Sequence, residues 1–266
     1  AKTKLVTTLG TVLGLQASRI QFTPDLMPSD ILGSEVMDQD ENGRRSFRIV
    51  KGPVFAQLLM ADEINRASPR TQSALLQSMQ EYHITVAGQR YDLPAPFHVL
   101  ATQNPLEQEG TYPLPEAQLD RFLLHIRVDY PSEAEERAIL AQTTGSKPGT
   151  VPAVMAGEEV LALQKLVRDV HFGDELLEWV TRIIRASRPG EGAPDDIARY
   201  VKWGAGPRAG QSLILAAKAR ALSQSRLAAT RDDIVALAAP VMRHRLLLSF
   251  AAEAEGRSAD DVIASL

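Results

Sequence analysis

The 266-residue sequence contains no cysteine. This absence excludes disulfide bridges, thiolate zinc sites and a cysteine nucleophile, and it is compatible with a reducing cytosol. No apolar run approaches the roughly eighteen residues that a membrane-spanning helix needs, and no secretory signal is recognisable. An excess of positive charge is also missing, because the net charge is −4. We therefore expect a cytoplasmic protein with no membrane partner, and the total charge gives no indication of a nucleic-acid partner.

Short β-rich runs alternate with helical patterns in the first half of the chain. The runs that favour strands are 18–23, 57–61, 97–102 and 123–128. Strands that alternate with helices are typical of a parallel sheet covered by helices on both faces. After Val128 the pattern becomes helical, and a Gly-, Pro- and Thr-rich connection lies at about 143–157. We predict an α/β domain over 1–130 and a smaller all-helical domain over 131–266.

Helical periodicity dominates the second half of the chain. The predicted helices are 132–143, 158–171, 174–188, 207–226 and 230–247. Pro240 lies inside the last of these, so a kink or a break is expected there. The basic run Arg243–Arg245 is interpreted as a solvated helix face.

Two adjacent carboxylates end a run that is otherwise apolar. Leu58–Ala61 leads directly into Asp62 and Glu63, and charged groups are costly to bury. At the carboxyl end of a parallel strand they would lie at the edge where α/β sheets bind ligands. Alone, this pattern also fits a plain solvated strand end.

The first residues, Ala1-Lys2-Thr3, open directly onto an amphipathic helix. Lysine followed by threonine at a helix start is the closing part of a phosphate-binding loop, G-x-x-x-x-G-K-[ST]. Free N–H groups attract phosphate there, the lysine adds a charge, and the hydroxyl can ligate Mg²⁺. The glycines of that pattern are absent, and Ala1 stands where the second one would be. We expect the chain to begin inside the loop.

Three further polar positions follow in order along the chain. Asn104 comes just after the 97–102 strand, although Asn-Pro alone is typical of a turn. Arg121 lies in PEAQLDRF, where a lone arginine is usually a helix-dipole partner or a surface ion pair. Arg208 lies at the start of a helix, where the dipole favours anions. This position predicts that Arg208 faces a ligand's negative charge.

Taken together, these motifs resemble those of AAA+ ATPases of the MoxR family. ADEINRASPRTQ is similar to that family's Walker B strand and following helix, and ATQNP is similar to its sensor 1. EAQLDRF resembles its arginine-finger segment, and GPRA resembles its sensor 2. The resemblance covers nearly the whole chain and departs from the family only at the missing Walker A glycines. It implies a P-loop αβα sandwich with a central parallel sheet, followed by a helical lid.

The resemblance implies ATP and Mg²⁺ as cofactors. Lys2 would contact the β- and γ-phosphates, and Thr3 and Asp62 would hold the metal ion. Glu63 would polarise the attacking water, which Asn104 would help to position.

The same resemblance gives roles to the two arginines. Arg121 would act on the γ-phosphate of a neighbouring subunit in a homo-oligomeric ring, with a hexamer expected. Arg208 would report the nucleotide state to the lid.

Two inserted hairpins bear on the client. The first is predicted within 31–52, with its turn at Asp40-Glu41-Asn42-Gly43, and the second within 84–93, with its turn at Ala87-Gly88. Their tips are not strongly basic, so a protein client is favoured over nucleic acid, and a DNA helicase is disfavoured. The resemblance implies a chaperone-like remodeller with a von Willebrand factor A domain partner. The alternatives are a magnesium-chelatase-like motor subunit and a nucleotide-gated scaffold that does not hydrolyse ATP.

Overall fold

The computed structural model describes residues 2–39, 45–104, 110–144 and 151–266, with the backbone alone for Lys2. The chain divides into two compact units. The first contains Ala1–Leu114 and Gly145–Ala162, and the second contains Pro115–Thr144 and Leu163–Leu266. The predicted boundary at residue 130 stays a prediction.

Up to Leu114, the described residues of the first unit form seven strands, three helices and one 3₁₀ turn. In chain order they are α1 (Lys2–Val12), β1 (Ala17–Gln21), α2 (Pro28–Leu32), β2 (Gly33–Gln39), β3 (Arg45–Lys51), β4 (Leu58–Asp62), the 3₁₀ turn Ile64–Arg66, α3 (Pro69–Glu81), β5 (His83–Val86), β6 (Gln89–Asp92) and β7 (His98–Ala101).

A parallel sheet with the strand order β1-β4-β7 forms the centre of this unit. The middle strand, β4, is buried from Leu58 to Ala61, as expected for a parallel strand with both faces covered. Three of the predicted strands are thereby confirmed. The fourth, 123–128, is wrong in this structure. Those residues form no strand, and their backbone bonds instead to the end of a helix in the second unit, as when the His125 N–H donates to the Pro240 carbonyl.

Helix α1 packs on the sheet and runs against the direction of its strands. Val6 is buried against Leu58 and Met60. A Cβ at Gly10 would lie 2.8 Å from the Cβ of Ala17, so this glycine lets the end of α1 approach the start of β1. The opposite end of α1 is therefore directed toward the carboxyl ends of the strands.

Both predicted hairpins are confirmed. Strands β2 and β3 pair from Gly33↔Lys51 to Gln39↔Arg45, and the predicted turn at 40–43 lies outside the described residues. Strands β5 and β6 are joined by Ala87 and Gly88, which have φ angles of 50° and 79°. Positive φ at both central residues is the requirement of a tight type I′ hairpin turn.

The second unit is mainly helical. Its elements are α4 (Glu116–Leu119), α5 (Glu133–Thr143), α7 (Asp174–Ala186), α8 (Asp195–Tyr200), β8 (Val201–Trp203), α9 (Pro207–Ser223), α10 (Arg231–Met242), β9 (Leu247–Leu248), α11 (Phe250–Ala254) and α12 (Ala259–Ala264), while α6 (Gly157–Asp169) crosses the division between the units.

The five predicted helices of this half are present, with two corrections. Helix α10 ends at Met242, two residues after Pro240, rather than continuing to 247. The short antiparallel ribbon of β8 and β9 shows that the unit is not purely helical. Its core is nevertheless made of helix faces, with residues such as Ile197, Leu213 and Ile234 completely buried. Within the described ranges, no helix is both long and apolar enough to cross a membrane.

Candidate active site

The two carboxylates lie at the carboxyl end of the central strand. Asp62 is the last residue of β4, and Glu63 follows it with φ 56° and ψ 49°, a left-handed conformation that is uncommon for residues other than glycine. Both side chains are partly buried. Backbone in this region is held only where the surroundings enforce it, and such positions concentrate at functional sites.

Thr102, one residue beyond β7, connects the two acidic residues. Its hydroxyl donates to Asp62 Oδ1 and accepts from the backbone N–H of Glu63 at 2.9 Å. The backbone continues the pairing, because Thr102 N–H donates to the Ala61 carbonyl and Ile64 N–H donates to the Thr102 carbonyl. This threonine lies inside the ATQNP motif, but the sequence pattern predicted no role for it.

Two side chains of β1 extend the carboxylate network. Arg19 Nη2 lies 2.7 Å from Asp62 Oδ2 and also donates to Gln21 Oε1, while Gln21 Nε2 donates to Glu63 Oε2 at 2.7 Å. Residues two apart in a strand share a face, and Gln21 is in register with Asp62. The negative charge of Asp62 is therefore offset by the guanidinium of Arg19 in this structure. Neither β1 residue was identified from the sequence.

The loop after Glu63 is held in place by hydrogen bonds from a buried side-chain amide. Gln72 on α3 has no exposed surface, and its Nε2 donates to the carbonyls of Ile64, Ala67 and Tyr112. Arg66 adds an ion pair to Glu63 at 3.4 Å. The left-handed turn at Glu63 is thus fixed from both sides.

The remaining predicted residues of the first unit belong to the same edge of the sheet. Asn104 follows β7 by three residues, and Thr3 lies in the first turn of α1, which is directed toward this edge. The side chain of Lys2 lies outside the described part of the structure. The topology therefore brings the predicted positions to one edge, while their roles stay predictions.

The donor set at this edge fits Mg²⁺. A carboxylate and a hydroxyl are oxygen ligands of the type that this ion prefers, and Mg²⁺ commonly takes only one or two protein ligands beside water and phosphate. Over the described ranges, no group of three or more His, Cys, Asp or Glu side chains forms a cage for a metal ion. Asp62 and Thr3 are thus suited to a phosphate-bound ion rather than to a resident structural metal.

The two predicted arginines both belong to the second unit. Arg121 is exposed just after α4, and its backbone N–H donates to the Gln118 carbonyl. Arg208 is the second residue of α9, and its Nη1 lies 3.6 Å from Asp120 Oδ2. The negative charge that Arg208 was predicted to face is, in this structure, a carboxylate of the protein.

The interpretation of Arg243–Arg245 as a solvated helix face is wrong. The run lies beyond the end of α10, where the chain has left the helix, and the side chain of Arg245 is only 2% exposed. His244 Nε2 donates to the Phe122 carbonyl at 3.0 Å. Burial, aided by the nearby charge of Arg245, lowers the pKa of His244 to about 4. The imidazole is therefore neutral at pH 7.

Comparisons with known proteins agree with this architecture. Residues 1–124 match the family described as "ATPase family associated with various cellular activities (AAA)", and residues 195–266 match the one described as "AAA lid domain". The crystal structure of a candidate ATPase from Cytophaga hutchinsonii superposes with a TM-score of 0.92 at 39% identity, covering 100% of this chain and 80% of the other.

Two curated relatives carry the MoxR name. Chaperone MoxR1 of Mycobacterium tuberculosis is 43% identical over 264 residues, which cover 99% of this chain and 69% of that protein. Protein MoxR of Paracoccus denitrificans is 34% identical over 271 residues, covering 95% of this chain and 78% of its own length. The carboxylate pair at the sheet edge, the helical second unit and these matches together place the chain in the MoxR family of AAA+ ATPases.

Proposed function

We propose that the protein hydrolyses ATP with Mg²⁺ to remodel protein clients. The observation that supports this most directly is the pair of hydrogen bonds that the Thr102 hydroxyl makes to the Asp62 carboxylate and the Glu63 N–H at the end of β4. These bonds fix the Asp62 carboxylate, which would face the metal ion, and the backbone of Glu63, whose carboxylate would face the attacking water. Hydrolysis of a phosphoanhydride requires mainly positioning and charge stabilisation, which such fixed groups supply.

Each predicted residue then has a separate task. Lys2 would contact the β- and γ-phosphates, and Thr3 and Asp62 would hold Mg²⁺, which would neutralise phosphate charge. Glu63 accepts a hydrogen bond from the attacking water, and Asn104 orients that water toward the γ-phosphorus. The water oxygen bonds to the γ-phosphorus while its proton passes toward Glu63, and the bond from this phosphorus to the β–γ bridging oxygen breaks, so that the products are ADP and phosphate.

The two predicted arginines have different proposed roles, and Arg121 is the one that makes turnover depend on assembly. In a homo-oligomeric ring, with a hexamer expected, Arg121 contacts the γ-phosphate bound by a neighbouring subunit. Arginine fingers in other nucleotide hydrolases contribute about 10³–10⁵ in turnover. Arg208 contacts the nucleotide from the lid of its own subunit.

The first hairpin supports a protein client. Met37 and Phe47 are cross-strand partners on β2 and β3, and they are 56% and 66% exposed. Of the basic side chains there, Arg48 is already paired with Asp38 at 2.8 Å. An apolar pair of this kind suits a protein surface better than a phosphate backbone. We keep a von Willebrand factor A domain protein as the expected partner and the cytoplasm as the expected location.

Phosphate release by the full-length protein tests the proposal. Glu63→Gln keeps the shape of the side chain but removes the negative charge, so we expect release to fall by about 10²-fold or more, with ATP still bound. Glu175→Gln, an exposed glutamate in the first turn of α7, is the matched control and should leave the rate unchanged. Equal rates for wild type and Glu63→Gln would overturn the proposed function.

A further inference from the structure

One buried arginine holds the segment that follows α4, residues 120–123. Arg245 Nε donates to Asp120 Oδ1 at 2.8 Å, and Nη2 donates to the carbonyls of Asp120 at 3.0 Å and Phe122 at 2.6 Å. Nη1 adds the Leu123 carbonyl at 3.3 Å. A buried guanidinium is stable only when it is paired and its donors are satisfied. Arg245 and this segment are therefore bound together.

The carboxylate of Asp120 is divided between two arginines. Oδ1 accepts from Arg245, whereas Oδ2 lies 3.6 Å from Arg208 Nη1. The two arginines differ in their freedom, because the side chain of Arg245 is buried and that of Arg208 is half exposed. Arg208 can therefore leave Asp120 at a small cost, while Arg245 cannot.

Arg208 also has a reason to seek negative charge. It lies in the first turn of α9, where the helix dipole is unfavourable for a cation. Asp120 offsets this in the present structure. A phosphate group would offset it equally well, so the two anions are alternatives for one guanidinium.

We propose that Asp120 is a positioning residue that pairs with Arg208 and competes with nucleotide phosphate for it, while Arg245 keeps Asp120 in place. This inference rests on the proposed function, since it requires Arg208 to contact bound nucleotide. When a phosphate group binds Arg208, Asp120 loses one of its two cationic partners. This change lies directly beside Arg121, to which the proposed function gives the intersubunit role.

Nucleotide affinity tests the competition without relying on turnover. The Kd of a methylanthraniloyl-labelled ATP is measured for the full-length protein, Asp120→Asn, Arg208→Ala and the double variant. We expect Asp120→Asn to tighten binding about two- to fivefold, the size that a half-exposed ion pair supports. The same change in the Arg208→Ala background should leave the Kd unaltered. Asp195→Asn, an exposed carboxylate at the start of α8, controls for a general loss of negative charge.

Three results would separate the possibilities. An unchanged Kd in Asp120→Asn, with altered thermal stability only, would make Asp120 a structural ion pair and overturn the inference. A gain that persists in the Arg208→Ala background would also overturn it, because the effect would not pass through Arg208. Wild-type protein that binds no labelled ATP would instead overturn the proposed function itself.

A second background keeps the test interpretable if Asp120→Asn alone fails to fold. Asp120→Asn leaves the buried charge of Arg245 without its full partner, so Asp120→Asn combined with Arg245→Gln removes both charges together. The affinity comparison with and without Arg208→Ala is then repeated in this background. Tighter binding that again requires Arg208 supports the competition, and an absence of that dependence contradicts it.

Discussion

Single side chains at the sheet edge serve two partners at once, and Thr102 is the clearest case. Its hydroxyl group donates a hydrogen bond to Asp62 Oδ1, and the same oxygen accepts a hydrogen bond from the Glu63 N–H. Removal of that hydroxyl would take one hydrogen-bond partner from Asp62 Oδ1 and one from the Glu63 N–H, both of which belong to partly buried residues. Unsatisfied groups of this kind cost about 1–3 kcal/mol.

We therefore predict that Thr102→Val lowers the free energy of unfolding by about 1–3 kcal/mol and reduces kcat more than it raises KM, because the carboxylates lose their fixed geometry. Denaturant unfolding and steady-state phosphate release measure the two effects. Thr85→Val, on an exposed position of β5, is the matched control. A Thr102→Val protein with wild-type kcat would show that the hydroxyl does not position the catalytic carboxylates.

At the residue scale, the sequence predicted the two carboxylates, which are costly to bury, but not the side chains that hydrogen-bond to them. Asp62 and Glu63 stand out because two charges end an apolar run. Arg19, Gln21 and Thr102 do not stand out, since polar residues in short strands are common, and only the register between strands shows that they meet the carboxylates. Cross-strand register depends on contacts far apart in the chain, which local patterns do not contain.

Among the elements, helices α9 and α10 are joined by a buried carboxylate. Asp233 has no exposed surface, receives hydrogen bonds from Arg220 and Arg226, and caps α10 through Thr230. The hydrogen bond from Arg226, followed by those from Thr230 and Arg220, holds the pKa of Asp233 far below its usual range. The charge is therefore built into the packing of the two helices.

We predict that Asp233→Asn lowers the free energy of unfolding by on the order of 3 kcal/mol, because two arginines lose their common partner. Since the pKa of Asp233 is lowered on folding, its contribution is present above about pH 4, the usual value of an unfolded aspartate, and declines as the pH falls below it. The deficit of Asp233→Asn relative to wild type should shrink in that acidic range. Denaturant midpoints at pH 7 and pH 3 measure this.

The adjacent Asp232 gives a matched control, because it is exposed on the same helix turn. Asp232→Asn should change stability by less than about 0.5 kcal/mol. Equal losses for the two variants would contradict a special role for the buried carboxylate.

Helix starts were predictable for a local reason. The Ser68 hydroxyl accepts from the Thr71 N–H and the Ser132 hydroxyl from the Glu135 N–H, while the Asp233 carboxylate accepts from the Thr230 N–H. The segment 123–128 was not predictable in the same way, because its alternating apolar residues favour a strand while its backbone bonds are made to distant parts of the chain. Local patterns thus determine where helices begin but not which partner an extended segment takes.

For the whole molecule, the proposed division of labour between subunits makes a mixing experiment decisive. Glu63→Gln leaves Arg121 intact, and Arg121→Ala leaves the carboxylates intact. If Arg121 acts on a neighbouring subunit, each variant alone should release phosphate slowly. Mixed assemblies should recover a substantial fraction of wild-type activity, because intact sites then face intact arginines.

Phosphate release measured across mixing ratios tests this prediction. The control is a mixture of Glu63→Gln with wild-type protein, which shows how inactive subunits alone affect the rate. If Arg121 acts within its own subunit, activity in the variant mixture would never exceed that of the separate components, and the intersubunit role would be wrong.

The parallel register between β1 and β4 has one more consequence. Arg19 and Gln21 reach Asp62 and Glu63 only because both lie on the same side of β1. A slip of β1 by a single residue would turn the two side chains away together. Such a slip would therefore remove the β1 contacts of both acids in one step.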